Sequence, residues 1–137
     1  MRLLQLHSDF IEYTPIKVEV QPAEDAESNR RLRFDDIAVL FVSVEEGDDE
    51  AVVKRAVDET KASLDRLDVK RLLIYPYSHL TSRLASPGRA LETVKAMERY
   101  ARDAGLEVYR APFGWTKSFS IQIKGHPLAE QSRSIAG

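Results

Sequence analysis

The chain has 137 residues, of which 43% are hydrophobic and 31% charged, with a formal net charge of −2 and no cysteine. That length makes a single domain, residues 1–137, able to bury about two-thirds of its unfolded surface without a covalent staple, and the composition excludes a disordered chain. The missing cysteine excludes a thiol nucleophile, a disulfide frame and a cysteine-ligated metal, and fits a reducing cytoplasm; the charge excludes an extended basic face for long nucleic acid but leaves capture of one RNA end open.

Two strand-like runs open the chain, Arg2 to His7 and Tyr13 to Val20, and turn chemistry at Ser8 and Asp9 predicts that they pair as a hairpin. "QPAEDAESNRRLRFDD" has no sustained period and is expected to be a long mobile surface loop. Ile37 to Glu45 is apolar at both parities, the pattern of a central strand covered on both faces. A helix is predicted from about Glu50 to Leu67, with Val53, Ala56, Val57, Thr60 and Leu64 as its apolar stripe. Arg71 to His79 reads as a second buried strand, and Ser86 before Pro87 with Gly105 as the stop frames a second helix. Two closing strands, "EVYRAPF" and "KSFSIQIK", flank "GWT", and Pro127 is expected to start a short C-terminal helix. The sum is an α/β or α+β domain with a mixed sheet and two main helices. No stretch approaches membrane-spanning length.

Alternation along the last of these strands puts Lys117 on the same side as Phe119, Ile121 and Ile123, an odd place for a cation. Either its methylene stem runs along apolar surface to water, or its ammonium reaches a small pocket at the sheet edge and holds a carbonyl oxygen, a water or an oxyanion. His79 closes a buried strand, where ligands of α/β sheets tend to sit, or its ring simply bonds nearby backbone. Pro76 removes a ladder donor, so the backbone from Pro76 to Ser78 is expected to be free for contact. Glu130 falls in the first turn of the expected last helix, where a carboxylate meets the helix N-terminus. No histidines have metal-ligand spacing, no metal is expected, and neither a G-x-S-x-G elbow nor a phosphate-binding glycine loop is present.

The succession "LLQLHSDFIEY", "VLFVSVE", "LIYPYSHLTS", "RAPFGWTKSF" and "KGHPLAEQSR" resembles, in order and over nearly the whole chain, the N-terminal editing domain of archaeal-type threonyl-tRNA synthetase. The resemblance implies a fold like that of D-aminoacyl-tRNA deacylases, a homodimer, and hydrolysis of serine wrongly attached to threonine tRNA. It implies no cofactor, and as partners the tRNA 3′ end and the remaining synthetase domains in cis or in trans. By matching motif it makes Lys117 and His79 the catalytic candidates. Val44, Glu45, Pro76, Tyr77, Ser78, Phe113, Gly114, Trp115, Thr116 and Glu130 are implied around the aminoacyl group and terminal adenosine. One departure stands out: where the family pattern has a tyrosine before the lysine, this chain has Thr116. Removal of D-amino acids, or a non-catalytic module that positions a tRNA end, are the alternatives to serine editing.

Overall fold

The computed structural model describes residues 1–136; Gly137, the last residue of the expected domain, lies outside them. Its elements in chain order are β1 (Arg2–Val18), β2 (Leu32–Ser43), α1 (Glu50–Arg66), β3 (Arg71–Pro76), α2 (Pro87–Asp103), β4 (Glu107–Arg110), β5 (Trp115–Ile123) and β6 (Glu130–Ser134). They form one mixed six-stranded sheet in the order β4-β3-β2-β1-β5, with β6 pairing the first part of β1 and β5 its later part. Strands β2, β3 and β4 run parallel, linked through α1 and α2, while β1 is antiparallel to its neighbours β2, β5 and β6.

The predicted N-terminal hairpin does not form. β1 is one 17-residue strand that pairs with β2 from Arg2↔Ser43 to Tyr13↔Leu32. What the sequence presented as a turn at Ser8 and Asp9 is a kink. Asp9 and Asp36 face each other where the ladder is interrupted, and Asp36 takes a left-handed φ of 46°. There the alternation resets in both strands. Leu6 and Val39 on one side of the kink share a face with Ile11, Tyr13 and Phe34 on the other, although the parity has switched. Lys124 Nζ binds both carboxylates, at 2.6 Å from Asp9 and 3.0 Å from Asp36, and so offsets part of their mutual repulsion.

The two helices lie on one face. Leu40, Val42, Leu72 and Ile74 pack there with the α1 residues Val53, Ala56, Val57 and Leu64 and with Val94, Met97 and Ala101 of α2. All five residues expected on the α1 stripe are buried, along with Val52 and Ser63. Asp49 caps the helix by accepting from the Val52 N–H at 3.0 Å, which satisfies one of its unpaired N-terminal donors. Among the described residues no helix packs on the second face. It is built of aromatics instead, with Phe41 and Tyr75 at the centre and Phe119 of β5 tilted against the first and edge-on to the second at 5.6 and 5.5 Å between ring centroids. Since β5 is two and three strands away from these partners in the sheet order, the sheet must curl strongly to bring the rings together.

Two further expectations are corrected. Pro127 does not nucleate a helix; the last regular element is β6, whose Glu130 to Ser134 pair with Leu6 to Arg2. Alternation explains it: Ala129, Gln131, Arg133 and Ile135 are buried or half-buried while Glu130, Ser132 and Ser134 face out, a period of two that a single proline signal hid. The segment from Gln21 to Arg31 lies outside the strands as expected, and so do Glu19 and Val20, since β1 ends at Val18 rather than Val20; the first half of this stretch is fastened to the turn before β5 by backbone hydrogen bonds from Glu19 N to Gly114 O (2.7 Å) and Glu24 N to Phe113 O (3.0 Å). The strand that follows it starts at Leu32, five residues earlier than predicted.

Candidate functional site

The carboxyl ends of parallel β2 and β3, the first turns of α2 and the turn from Phe113 to Lys117 enclose a cavity of about 310 Å³. Carboxyl strand ends next to a helix N-terminus are where open α/β sheets place ligands. Val42 and Val44 contribute the β2 side, Pro76, Tyr77 and Ser78 the β3 side, and Ala90 and Val94 the floor from α2. Phe113, Gly114, Trp115 and Lys117 close the third side, with Glu19 and Val20 beside them.

Lys117 sits where the alternation put it. Its ammonium donates to the Trp115 carbonyl at 3.1 Å and lies 5.1 Å from the centroid of the Tyr75 ring. Neither partner removes the positive charge, and burial pushes the ammonium down to about 8 from the ordinary 10.5, an effect that the nearby carboxylates of Glu19 and Glu24 only partly oppose. A half-buried cation with an aromatic face behind it and a cavity in front can bind the polar end of a small ligand.

On the β3 side of the cavity, the backbone around Tyr77 is not free. Tyr77 N donates to Val42 O at 2.9 Å, and the Tyr77 carbonyl accepts from the Ser43 hydroxyl, which in turn accepts from Leu80 N at 3.3 Å. The ladder to β2 continues through Pro76, which pairs with Val42, and on to Tyr77, so the proline does not free this backbone. The result is a fixed wall.

Four candidates lie off the cavity lining. β3 ends at Pro76, so His79 stands three residues out in the following loop, exposed, with its ring edge-on to Tyr77 at 5.0 Å. Glu130 opens β6 and is exposed, its backbone paired with Leu6; no helix N-terminus is there to receive it. Thr116 points away from the Lys117 side and donates to the Glu19 carboxylate at 3.2 Å. Glu45 is buried behind the wall, accepting from the Met1 α-ammonium at 2.8 Å and from the Thr81 hydroxyl at 2.6 Å. Burial works to raise the Glu45 carboxyl, but those two donors outweigh it and hold it below the ordinary carboxylate range. By binding Thr81 it anchors the loop that carries Leu84 and Ala85 to the cavity rim, where Ala85 N also donates to Val44 O at 2.9 Å.

Glu19, Val20, Leu84, Ala85, Ala90 and Val94 were not singled out from the sequence. Ala90 and Val94 had a usable signal, being four apart on one helix face with a small residue first. Glu19 and Val20 had none, because their position depends on docking to a turn almost a hundred residues later.

Comparison with known proteins identifies the family. A family model described as the archaea-specific editing domain of threonyl-tRNA synthetase matches residues 1–135. Threonine–tRNA ligase from Nitrosopumilus maritimus is 50% identical over 135 residues, covering 98% of this chain and 21% of the relative. The corresponding ligase of Cenarchaeum symbiosum is 50% identical over 137 residues, all of this chain and 22% of the relative, and that of Staphylothermus marinus 44% identical over 137 residues. The chain thus spans about a fifth of the length of the curated relatives it matches. Among solved structures, the c-Myc DNA unwinding element binding protein superposes over the full length of both chains with a TM-score of 0.75 at 7% identity. At that identity the likeness concerns the fold alone, which is the D-aminoacyl-tRNA deacylase-like fold expected from the resemblance. By the match over residues 1–135 and the identity to these ligases, the chain belongs to the archaea-specific family of threonyl-tRNA synthetase editing domains.

Proposed function

We propose that this domain hydrolyses L-serine from threonine tRNA while sparing L-threonine, taking the seryl-adenosine end of the tRNA into the cavity beside Lys117. The observation that carries the reading is the half-buried Lys117 ammonium lining a cavity of about 310 Å³ together with Pro76, Tyr77 and Ser78, in a member of an editing-domain family. Serine is threonine without one methyl, and a threonine-binding site rejects it by only about 1–3 kcal/mol, so a second site must remove the errors. That site needs a wall too close for the extra methyl. Backbone from Pro76 to Ser78, held by β2, is stiffer than side chains and suits the purpose.

In the reaction a water oxygen attacks the ester carbonyl carbon, the ester C–O bond breaks, and the ribose oxygen leaves with a proton. Free serine and uncharged tRNA result. Lys117 holds the water or the developing oxyanion. The ribose hydroxyl adjacent to the ester helps activate the water, which leaves the protein a positioning and electrostatic part and needs no cofactor and no protein nucleophile. The domain works as a homodimer in this reading, and exposed apolar side chains on β1 and β5, Ile16, Val18 and Phe119, favour such an association. The remaining synthetase domains, in cis or in trans, supply most of the grip on tRNA in the cytoplasm. Among the described residues no helix is long and apolar enough to cross a membrane.

The test is a deacylation assay on threonine tRNA carrying L-serine, D-serine, or L-serine on a terminal ribose lacking the adjacent hydroxyl. Rapid loss of L-serine from the normal ester and almost none from the deoxy ester is expected. Loss of the D-ester alone would make the protein a chirality checkpoint, no loss from any ester would make it a binding module, and equal rates on the deoxy ester would remove the ribose from the mechanism.

A further inference from the structure

Glu24 does not line the cavity, yet it binds each end of the turn that forms one of its sides. Its carboxylate Oε1 accepts from the Phe113 N–H at 3.0 Å, its own N–H donates to Phe113 O at 3.0 Å, and its carbonyl accepts from the Trp115 indole N–H at 2.7 Å. Between these two, Gly114 O accepts from Glu19 N and Val20 N at 2.7 and 3.2 Å. The carboxylate also pairs with Arg110 Nη1, while Arg110 Nε binds Glu98 of α2 at 2.8 Å. Burial works against the Arg110 charge, but the two carboxylates outweigh it and keep the guanidinium more firmly protonated than usual. These side chains are well covered, at 21%, 13% and 21% exposure for Glu24, Arg110 and Glu98, so the pairing is little screened.

Glu19 to Glu24 form a strap along this turn, and strap and turn are in backbone contact. Gly114 has φ +89°, and a Cβ there would lie 2.8 Å from Ala23 Cα and from Val20 O. The position of this cavity side therefore follows the strap, and the strap is held to β4 and α2 through Glu24.

We propose that Glu24 is a positioning residue for substrate discrimination, fixing the Phe113 to Trp115 side of the cavity so that the substrate cannot shift away from the Pro76 to Ser78 wall and the threonine methyl has no room. The inference rests on the serine-editing reading above. A methyl is worth a factor of 10 to 200 only if the surrounding walls do not give, and a turn backed by a six-residue strap with no secondary structure of its own gives unless the strap is tied. Glu24 is that tie.

The experiment compares kcat/KM for L-seryl and L-threonyl ester in the parent, Glu24→Ala and Glu24→Gln. Because both substrates meet the same folded molecules, their ratio is unaffected if part of a variant fails to fold. The serine-over-threonine ratio is expected to fall ~10-fold in Glu24→Ala and less in Glu24→Gln, which keeps an acceptor for Phe113 N–H but loses the charge pair with Arg110. Trp115 is the one tryptophan of the chain, so its emission reads the tie without substrate. A red shift and easier acrylamide quenching in Glu24→Ala are expected. An unchanged ratio in both variants, with a discriminating parent, overturns the inference alone; a parent that hydrolyses neither ester, or both equally, overturns the editing reading and this role with it.

Discussion

Replacing Lys117 with methionine is expected to slow seryl-ester hydrolysis by about 10²–10³-fold, the loss seen when a preorganised donor to a developing oxyanion is removed, and at the same time to make the domain more stable. The two effects have one cause. Burial depresses the ammonium to about 8, below its unfolded value of roughly 10.4. Between those values the unfolded chain binds more protons than the folded one, so stability rises with pH across that window; below pH 8 both states are protonated and the full cost is present. Methionine keeps the volume over Tyr75 and removes the charge. At pH 7 the variant should gain on the order of 2 kcal/mol, after allowing for partial solvation, and lose the rise between pH 8 and 10.5. Urea denaturation at several pH values reads both. The pH profile of kcat/KM separates the roles left open for the lysine: with the ammonium acting as a cation, the rate, corrected for hydroxide-driven hydrolysis, falls through pH 8. A rate rising through pH 8 would make the neutral amine a base and contradict the electrostatic role.

Gly114→Ala carries the second large effect. A positive φ is costly for alanine, and the new methyl would lie 2.8 Å from strap backbone that cannot swing aside as a flexible side-chain end could. Destabilisation of roughly 3 kcal/mol is expected, a fall of about 10 °C in thermal midpoint for a chain of this size. Molecules that remain folded should hold the strap farther out and hydrolyse threonyl ester faster relative to seryl ester. An alanine variant as stable as the parent would mean that the strap is not seated on the turn, and the discrimination role of Glu24 would lose its footing.

How far the sequence revealed this site depends on the range of the interactions involved. The α1 stripe and the double-sided burial of Ile37 to Ser43 were legible because helix and parallel-strand patterns repeat within a few residues. Lys117 was legible for a similar reason: the alternation with Phe119, Ile121 and Ile123 holds, and the cation does face the cavity. The kink at Asp9 was misread as a reversal because aspartate after serine marks broken backbone pairing without saying whether the chain turns back. Only the matching irregularity at Asp36, in a strand more than twenty residues later, shows that β1 continues. His79 and Glu130 were carried over from the motifs "YPYSHL" and "GHPLAEQSR", but β3 ends three residues short of the first and a strand replaces the helix expected around the second. The strap is the extreme case. Nothing local to Glu19–Glu24 indicates that its backbone closes a cavity, since each bond it makes there is to residues from Arg110 to Thr116. Thr116 illustrates the same point in reverse: it departs from the family's tyrosine, and in this chain its hydroxyl binds the strap at Glu19 instead of lining the cavity.

The most direct measurement of the central claim is a time course of this domain acting on threonine tRNA charged in parallel with L-serine and with L-threonine. The sieve predicts loss of the serine ester at a rate at least ~10-fold above that of the threonine ester, the least that exclusion of one methyl by a fixed wall should give. Equal rates for the two esters would contradict it.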